Sequence, residues 1–478
     1  MFGTIDPLGT TKKVSPAPNL RWEPTASLPS VPAPGAAQAL PVALKEPVSL
    51  AQLTEVALTL NPKTAQVWAQ ARAEAAQLGI DKAQFFPQLS GLVSDRIGRA
   101  ISATSGLPNS TLIDQAGNPA TVAQGGRPYG VFTVYGPSLT LTYLLFDFGK
   151  RAADVEATEY RLLAANLTQN RTLQEVASQV EQAYYQVLGF ERLIVATQES
   201  LKNFEAALDA AQRRRESGLA TVADVYRAET QVAQMSLVLT RNQGDLSKAR
   251  GVLATTVGLP PNFPLQLRGV SDLPPVAEIT RSMDELLTQA KENRPDLAAA
   301  EARARAARAT ARAEARAALP SVDLAANYGR NAYTNALSGQ DVYNLTLNLR
   351  IPIFTGFGDT YRIRQREEQA KAAEAARDQL FTQTALDVWQ AFYDLQTAND
   401  GIKSTQILLK SAEQTSQATF ARYQAGYGSI LDLLLARQDE ASANAQRIQA
   451  YLEWYTALSR LNFSIGSSNI LAGAGGKK

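Results

Sequence analysis

YNLTLNLRIPIFTGFGD, residues 343–359, alternates with a period of two: Tyr343, Leu345, Leu347, Leu349, Ile351 and Ile353 fall on one side, and Asn344, Thr346, Asn348 and Arg350 on the other. A strand from Tyr343 to Ile353 therefore has one wholly apolar face and one polar face. The segment before it, Ser321 to Tyr328, sets Val322, Leu324, Ala326 and Tyr328 against Ser321, Asp323 and Asn327. Ser138, Thr140 and Thr142 alternate in the same way with Leu139, Leu141, Tyr143 and Leu145, and a fourth strand starts near Pro87. Strands of about ten residues match the span of a membrane barrel, with apolar side chains toward lipid. Four strands cannot close a barrel, and open edges are not tolerated in lipid, so several copies would have to complete one barrel together. A soluble sandwich or hairpin with one wet face satisfies the alternation equally well.

The chain is written twice. Ser49 onward superposes on Ser282 onward at an offset of 233, aligning Leu53 with Leu286, Asn61-Pro62 with Arg294-Pro295, and Pro87 with Pro320. Further on the offset is 208, aligning Ala183 and Tyr185 with Ala391 and Tyr393, Gly218 with Gly426, Asp224 with Asp432, and Gly258 with Gly466. The 25-residue difference falls between Pro87 and Phe146, where a projecting loop absorbs it. Each half reads helix, strand, loop, strand, long helix, tip, helix. The expected organisation is an extended Pro-rich arm over 1–48, a first repeat over 49–270, a second over 271–466 and a short tail over 467–478, the repeats forming one continuous protomer.

Leu173, Val176, Val180, Ala183, Val187, Phe190, Ile194, Thr197, Leu201, Phe204, Leu208 and Ala211 step by three and four, and residues 149–217 contain no proline. Such a helix would be roughly 100 Å long and needs partners over its whole length. Segments 49–85 and 222–256 are each about half as long, so stacked end to end they could flank it; 282–318, 359–424 and 430–464 repeat the arrangement. The Ala-rich run 298–319 (AAAEARARAARATARAEARAAL) permits close helix approach while its arginines stay solvated. A dimeric coiled-coil rod would also use these heptads, but it leaves the strands without a role.

Composition removes most chemistry. The chain has 478 residues with neither cysteine nor histidine, which excludes disulfides, thiolate or imidazole metal sites and histidine-based catalysis. Lys plus Arg (47) nearly balances Asp plus Glu (45), so no strong field draws in nucleic acid. LATTVGLP lacks the lysine and hydroxyl of a phosphate loop. Glu181, Glu191, Asp394 and Asp400 read as solvated coiled-coil carboxylates. No catalytic group and no cofactor is expected. Apolar runs are too short for a transmembrane helix, and residues 1–20 lack the pattern of a secretory signal. Without cysteine no N-terminal acyl anchor is expected.

LTYLLFDFGK (141–150), RRESGLATVADVYRA (214–228), LNLRIPIFTGFGD (347–359) and RYQAGYGSILDLLLARQDE (422–440), in this order at repeat spacing, resemble the TolC-like outer membrane efflux proteins over residues 49–466. The resemblance implies a mainly helical homotrimer with a small β part: a 12-stranded transmembrane β-barrel in outer-membrane lipid, continuing into a trimeric α-barrel of coiled-coil hairpins in the periplasm of a Gram-negative bacterium. It also implies an exit duct of a tripartite efflux or type I secretion system, opened at its tip by a periplasmic adaptor and an inner-membrane transporter. The alternative from another class is a soluble coiled-coil scaffold.

In that family the glycine-containing turns form the periplasmic tip and touch the adaptor; here they are Gly218 and Leu219, and Gly426, Tyr427, Gly428 and Ser429. Asp432 falls at a constricting carboxylate and Tyr423 at a tyrosine of the closed-state link, with Asp224 and Thr221 as first-repeat counterparts. Two departures stand out: Gly428 where some relatives carry a link-forming arginine, and Leu435 in place of a second acid. Thr221 to Asp224 and Ser429 to Asp432 also fit capping-box spacing, so starting a helix, lining an aperture, and both together are all open to the aspartates. Tyr143, Phe146, Phe148, Tyr343, Phe354 and Phe357 fit either an interfacial aromatic girdle or core packing.

Overall fold

The structure, a computed structural model, describes residues 47–99, 112–113, 119–120, 131–268, 282–333 and 340–467, all within one unit, Pro47–Lys478. The Pro-rich arm lies outside the described residues apart from Pro47 and Val48, and the tail apart from Ser467. Helices α1 (Leu50–Leu60) and α2 (Pro62–Ala83) lead into β1 (Gln88–Arg99), two short strands β2 (Leu112–Ile113) and β3 (Pro119–Ala120), β4 (Val131–Phe146), α3 (Lys150–Glu216) and α4 (Val222–Val257). The order then recurs as α5 (Met283–Asn293), α6 (Pro295–Ala317), β5 (Ser321–Tyr333), β6 (Gln340–Arg350), α7 (Gly358–Gln424) and α8 (Ile430–Ser464). The fold is mainly helical, and no helix among the described residues is long and apolar enough to cross a membrane.

The two long helices have 67 residues each and start and end 208 positions apart. Every residue of the stripe from Leu173 to Ala211 is buried or half-buried, so the heptad reading locates the packed faces of α3. A second core runs between α7 and α8, where Val388, Ala391, Leu395 and Ile402 meet Ala450, Trp454, Ala457 and Leu461. Burying a side chain such as Val388 or Ile402 completely stabilises the pair by about 1.5–3 kcal/mol.

The half-length segments are each broken at the residue before proline, Asn61 and Arg294, because proline lacks the N–H that would continue the preceding helix. The break is a joint. Asn61 Nδ2 donates to Thr256 O at 2.7 Å, and Arg294 Nη1 donates to Ser464 O at 3.2 Å, the equivalent carbonyl 208 residues on. Gly258 (φ +95°) and Gly466 (φ +73°) end α4 and α8 against these breaks; a Cβ would stand 2.7 Å from Leu60 O and 2.6 Å from Asn293 O. Only glycine allows both the left-handed turn and that approach.

The four long strands form one antiparallel sheet in the order β1-β4-β5-β6, with β1 and β6 at open edges. The register lines up Leu89, Leu141, Ala326 and Leu345 across one face, and Ser90, Thr140, Asn327 and Asn344 across the other. The polar face is a hydrogen-bonded ladder: Thr140 Oγ1 donates to Asn327 Oδ1 (2.6 Å), Asn327 Nδ2 to Asn344 Oδ1 (3.3 Å), and Asn348 Nδ2 to Asp323 Oδ2 (2.9 Å). The apolar face is bare, with Leu345 and Leu347 exposed by 73% and 65%. One expectation is corrected: β6 ends at Arg350 rather than running to Ile353, since Pro352 cannot donate to a ladder. Ile351 and Ile353 nevertheless stay exposed.

Each strand passes into its long helix through two consecutive left-handed residues, Phe148-Gly149 and Gly356-Phe357. Non-glycine residues resist this conformation by about 1–2 kcal/mol, so both phenylalanines are held by their surroundings. At the first junction Asp147 accepts from Gly149 N (3.1 Å), Arg151 N (2.9 Å) and Arg151 Nε (3.0 Å), while Arg151 Nη1 reaches Gln84 O at 2.9 Å. Phe146, Phe148, Tyr343, Phe354 and Phe357 are exposed, so core packing within the chain does not account for them; Tyr143 is half-buried.

Candidate functional site at the paired helical tips

Both long helices end in the same way because glycine is available where the chain must turn left-handed. At the first tip Gly218 (φ +72°) follows α3, with Leu219 N–H donating to Arg214 O at 2.7 Å and Gly218 N–H to Arg215 O at 2.9 Å. At the second, Gly426 (φ +86°) follows α7, with Tyr427 N–H donating to Arg422 O at 3.0 Å and Gly426 N–H to Tyr423 O at 3.1 Å. This paired pattern satisfies the last carbonyls of each helix. The residue after each glycine ordinarily folds back onto an apolar neighbour, but Leu219 and Tyr427 stand out at 69% and 83% exposure. Gly428 is packed, since a Cβ there would lie 3.1 Å from Tyr423 N.

The two N-caps differ. Thr221 and Asp224 make a complete capping box: Asp224 N–H donates to Thr221 Oγ1 at 3.3 Å, and Thr221 N–H and Oγ1 donate to Asp224 Oδ2 at 2.9 and 2.8 Å. Those bonds, the backbone one first, hold the Asp224 carboxyl below its ordinary range. Ser429 Oγ accepts from Asp432 N–H at 3.1 Å, but nothing returns. The exposed Asp432 carboxylate makes no hydrogen bond or ion pair among the described residues. The same spacing therefore yields one carboxylate committed to its helix and one free to act elsewhere.

Tyr423 is buried among Phe204, Ala211, Val225, Ile430 and Leu433, where all four tip helices meet. Burial pushes its phenol up, against the opposing effect of Arg214, and its hydroxyl has no hydrogen-bond partner among the described residues. Arg214 was not singled out from sequence. Its guanidinium lies 4.8 Å from the Tyr423 ring centroid, and Nη1 donates to Tyr423 O at 2.5 Å. A cation on the C-terminal carbonyls of α7 is well placed against the helix dipole. The stepping through Phe204, Leu208 and Ala211 sets Arg213 aside but does not choose between the other two, since from Ala211 a step of three reaches Arg214 and a step of four reaches Arg215. The structure thus gathers Arg214, Tyr423 and Asp224, and leaves Asp432 apart.

Of the four carboxylates expected on solvated faces, Glu191, Asp394 and Asp400 meet Arg250 (2.8 Å), Arg460 (3.1 Å) and Lys403 (3.5 Å). Glu181 departs from that expectation. It is half-buried at the seam between α3 and α8, takes a 2.7 Å bond from Ser459 Oγ, and is pushed up by burial more than that bond lowers it.

The profile of the family described as outer membrane efflux protein matches residues 53–259 and 286–467. Protein CyaE of Bordetella pertussis is 28% identical over 405 residues, covering 84% of this chain and 80% of that protein. The pyoverdine export outer membrane protein OpmQ of Pseudomonas putida is 27% identical over 467 residues, covering 92% of each. Among solved structures, the outer-membrane channel OprN superposes with a TM-score of 0.76 at 22% identity, over 88% of this chain and 90% of that one. The outer membrane protein VceC of Vibrio cholerae gives 0.74 at 21% identity, over 88% and 96%.

Proposed function

Because the chain belongs to the outer membrane efflux protein family, we propose that three copies assemble into a passive duct in which their strands close a 12-stranded barrel and their hairpins a periplasmic tube. Residence in the outer membrane of a Gram-negative cell follows from the family, whose members here are channels and not enzymes. The observation that carries the proposal is the sheet. It is open at both edges and bare on one apolar face, and it passes at Phe146 and Arg350 toward helices of 67 residues each. A soluble scaffold would leave Tyr343, Leu345, Leu347 and Leu349 in water. In this assembly the repeats 49–270 and 271–466 supply two of six similar staves, and Pro47 onward needs no separate domain.

The tips form the gated end. Three Asp432 carboxylates around the axis repel one another and attract cations, while Thr221 and Asp224 hold their own helix start. Tyr423 and Arg214 tie α7 to α3. The exposed Leu219 and Tyr427, carried on the turns at Gly218, Gly426, Gly428 and Ser429, offer the contact for a periplasmic adaptor. The duct draws its opening energy from that adaptor and from an inner-membrane transporter. The test is single-channel conductance of detergent-extracted protein in a planar bilayer, wild type against Asp432→Ala, over a range of cation concentrations. A small wild-type conductance that rises, or loses cation block, in the variant supports the duct and its aperture. Protein that stays soluble without detergent and never inserts overturns the reading.

A further inference from the structure

We infer that α7 of one copy packs on α4 of the next in a register written into the internal repeat, with Leu386, Trp389 and Tyr393 seated on Gly244, Ser247 and Gly251. The inference rests on the assembly proposed above and specifies the surface that makes it.

The template lies inside the chain, where α3 of the first repeat packs on α8 of the second. Ser178 Oγ and Ser459 Oγ are 3.3 Å apart, Tyr185 stacks on Tyr455 with centroids 4.2 Å apart, and a Cβ on Gly189 would collide with the Leu452 side chain. The long helix α7 is α3 moved on by 208 positions, and α4 is α8 moved back by 208. A closed ring of like hairpins makes each α7 meet an α4 as each α3 meets an α8. Within one chain α4 lies on α3, so the α4 that α7 meets belongs to a second copy.

Mapping the template across gives Leu386 opposite Gly251 for Ser178 and Ser459, Tyr393 opposite Ser247 for Tyr185 and Tyr455, and position 397 opposite Gly244 for Gly189 and Leu452. Trp389 takes the place of Glu181. Among the described residues these features have no other account, except that a Cβ on Gly251 would rest in ordinary contact with Pro261, 3.6 Å from its O and 3.7 Å from its Cβ. Leu386, Trp389 and Tyr393 are 46%, 50% and 45% exposed, and the Trp389 and Tyr393 rings lie 5.0 Å apart with Phe392 edge-on to Tyr393 at 5.3 Å. Gly244 stands in mid-helix with nothing within 4 Å of a Cβ, which costs the helix about 1 kcal/mol relative to alanine for no gain in the isolated chain. Bulk on α7 and its absence on α4 are complementary, and the polar Ser178, Glu181 and Ser459 seam inside the chain becomes an apolar one between copies, as subunit contacts favour.

The chain has no cysteine, so introduced pairs report contact without background. Because the template γ-oxygens are 3.3 Å apart, Leu386→Cys/Gly251→Cys comes within disulfide reach. Mild oxidation of the detergent-extracted double variant is expected to give a covalent three-chain species on a non-reducing gel. Thr397→Cys/Gly244→Cys provides a second in-register pair should the first fold poorly. Leu386→Cys/Gly244→Cys lies two turns out of register, about 10 Å along the helix, and is expected to lose the cross-link. Equal cross-linking of all three pairs, or none from either in-register pair in a preparation that sediments as a trimer, overturns the register and leaves the assembly standing. A preparation of the unsubstituted protein that sediments only as a monomer overturns the assembly and the inference together.

Discussion

Gly258→Ala tests whether the half-length helices are joined rigidly. The new methyl would lie at φ +95°, 2.7 Å from Leu60 O, 2.9 Å from Leu60 C and 3.1 Å from Asn61 Cα. The left-handed conformation costs alanine about 1–2 kcal/mol. The obstruction is backbone, anchored by the N-cap of α2, and cannot rotate away as a side-chain end would. The joint must therefore open, weakening the 2.7 Å bond from Asn61 Nδ2 to Thr256 O, which is worth about another 1–1.5 kcal/mol. Together these lower local stability by about 2–3.5 kcal/mol, or a roughly thirty- to four-hundred-fold increase in exchange from the protected amides around the joint. Hydrogen exchange with mass spectrometry would follow peptides spanning 57–65 and 254–262, which contain the Asn61 N–H to Ala57 O and Leu259 N–H to Ala254 O bonds. Gly218→Ala is the control: its φ is +72° but nothing lies within 4 Å, so it carries the conformational cost alone and confines it to the tip. Equal losses of protection at the two sites would refute the steric argument.

Glu181→Gln is expected to raise the melting temperature at pH 7. Burial raises this carboxyl above its ordinary 4.5, so the folded state favours the protonated form; stability from that form is complete below 4.5 and lost as pH rises through the folded value. Calorimetry from pH 4 to 8 should therefore show the variant's advantage growing with pH. Thr221→Ala removes a full capping box and should cost the α4 start about 1–2 kcal/mol, more than Ser429→Ala, which removes one bond; exchange at the tip amides separates them. Arg214→Met keeps much of the stem but loses the bond to Tyr423 O, so amides over 422–428 should exchange about ten-fold faster or more, and wild-type-like exchange there would remove Arg214 from the tip's account.

The long elements were legible because their periods are strong: the alternation in 343–350 and the stepping from Leu173 to Ala211 each locate a face that the structure buries or lays bare. The joints were only half legible. Pro62 and Pro295 announce a break, but the contacts of Leu60 and Asn61 with Gly258, and of Asn293 and Arg294 with Gly466, connect residues far apart in the chain and depend on how the helices stack. Glu181 looked like its neighbours in sequence, since nothing local marks that Ser459 will close over it. The candidate site was legible as turns and caps. The division of labour between Asp224 and Asp432 was not, because Thr-x-x-Asp and Ser-x-x-Asp differ only in which way a carboxylate rotates after the helix has started.

Where the repeats agree and where they part follows a physical rule. They agree where the backbone has no choice: both pre-proline breaks, both glycine joints, both left-handed junctions and both helix ends keep the same geometry, since an error at any of them tilts a helix of 67 residues along its whole length. They part where each helix meets a different neighbour. Gly189 receives Leu452 within the chain, while its counterpart Thr397 faces outward with Leu386, Trp389 and Tyr393 beside it. Asp224 is bound to its own cap while Asp432 is released from the equivalent one. Duplication thus supplies equal staves. In the proposed assembly, divergence at these positions separates a contact within one chain from a contact between chains, and a helix start from a charge held free at the tip.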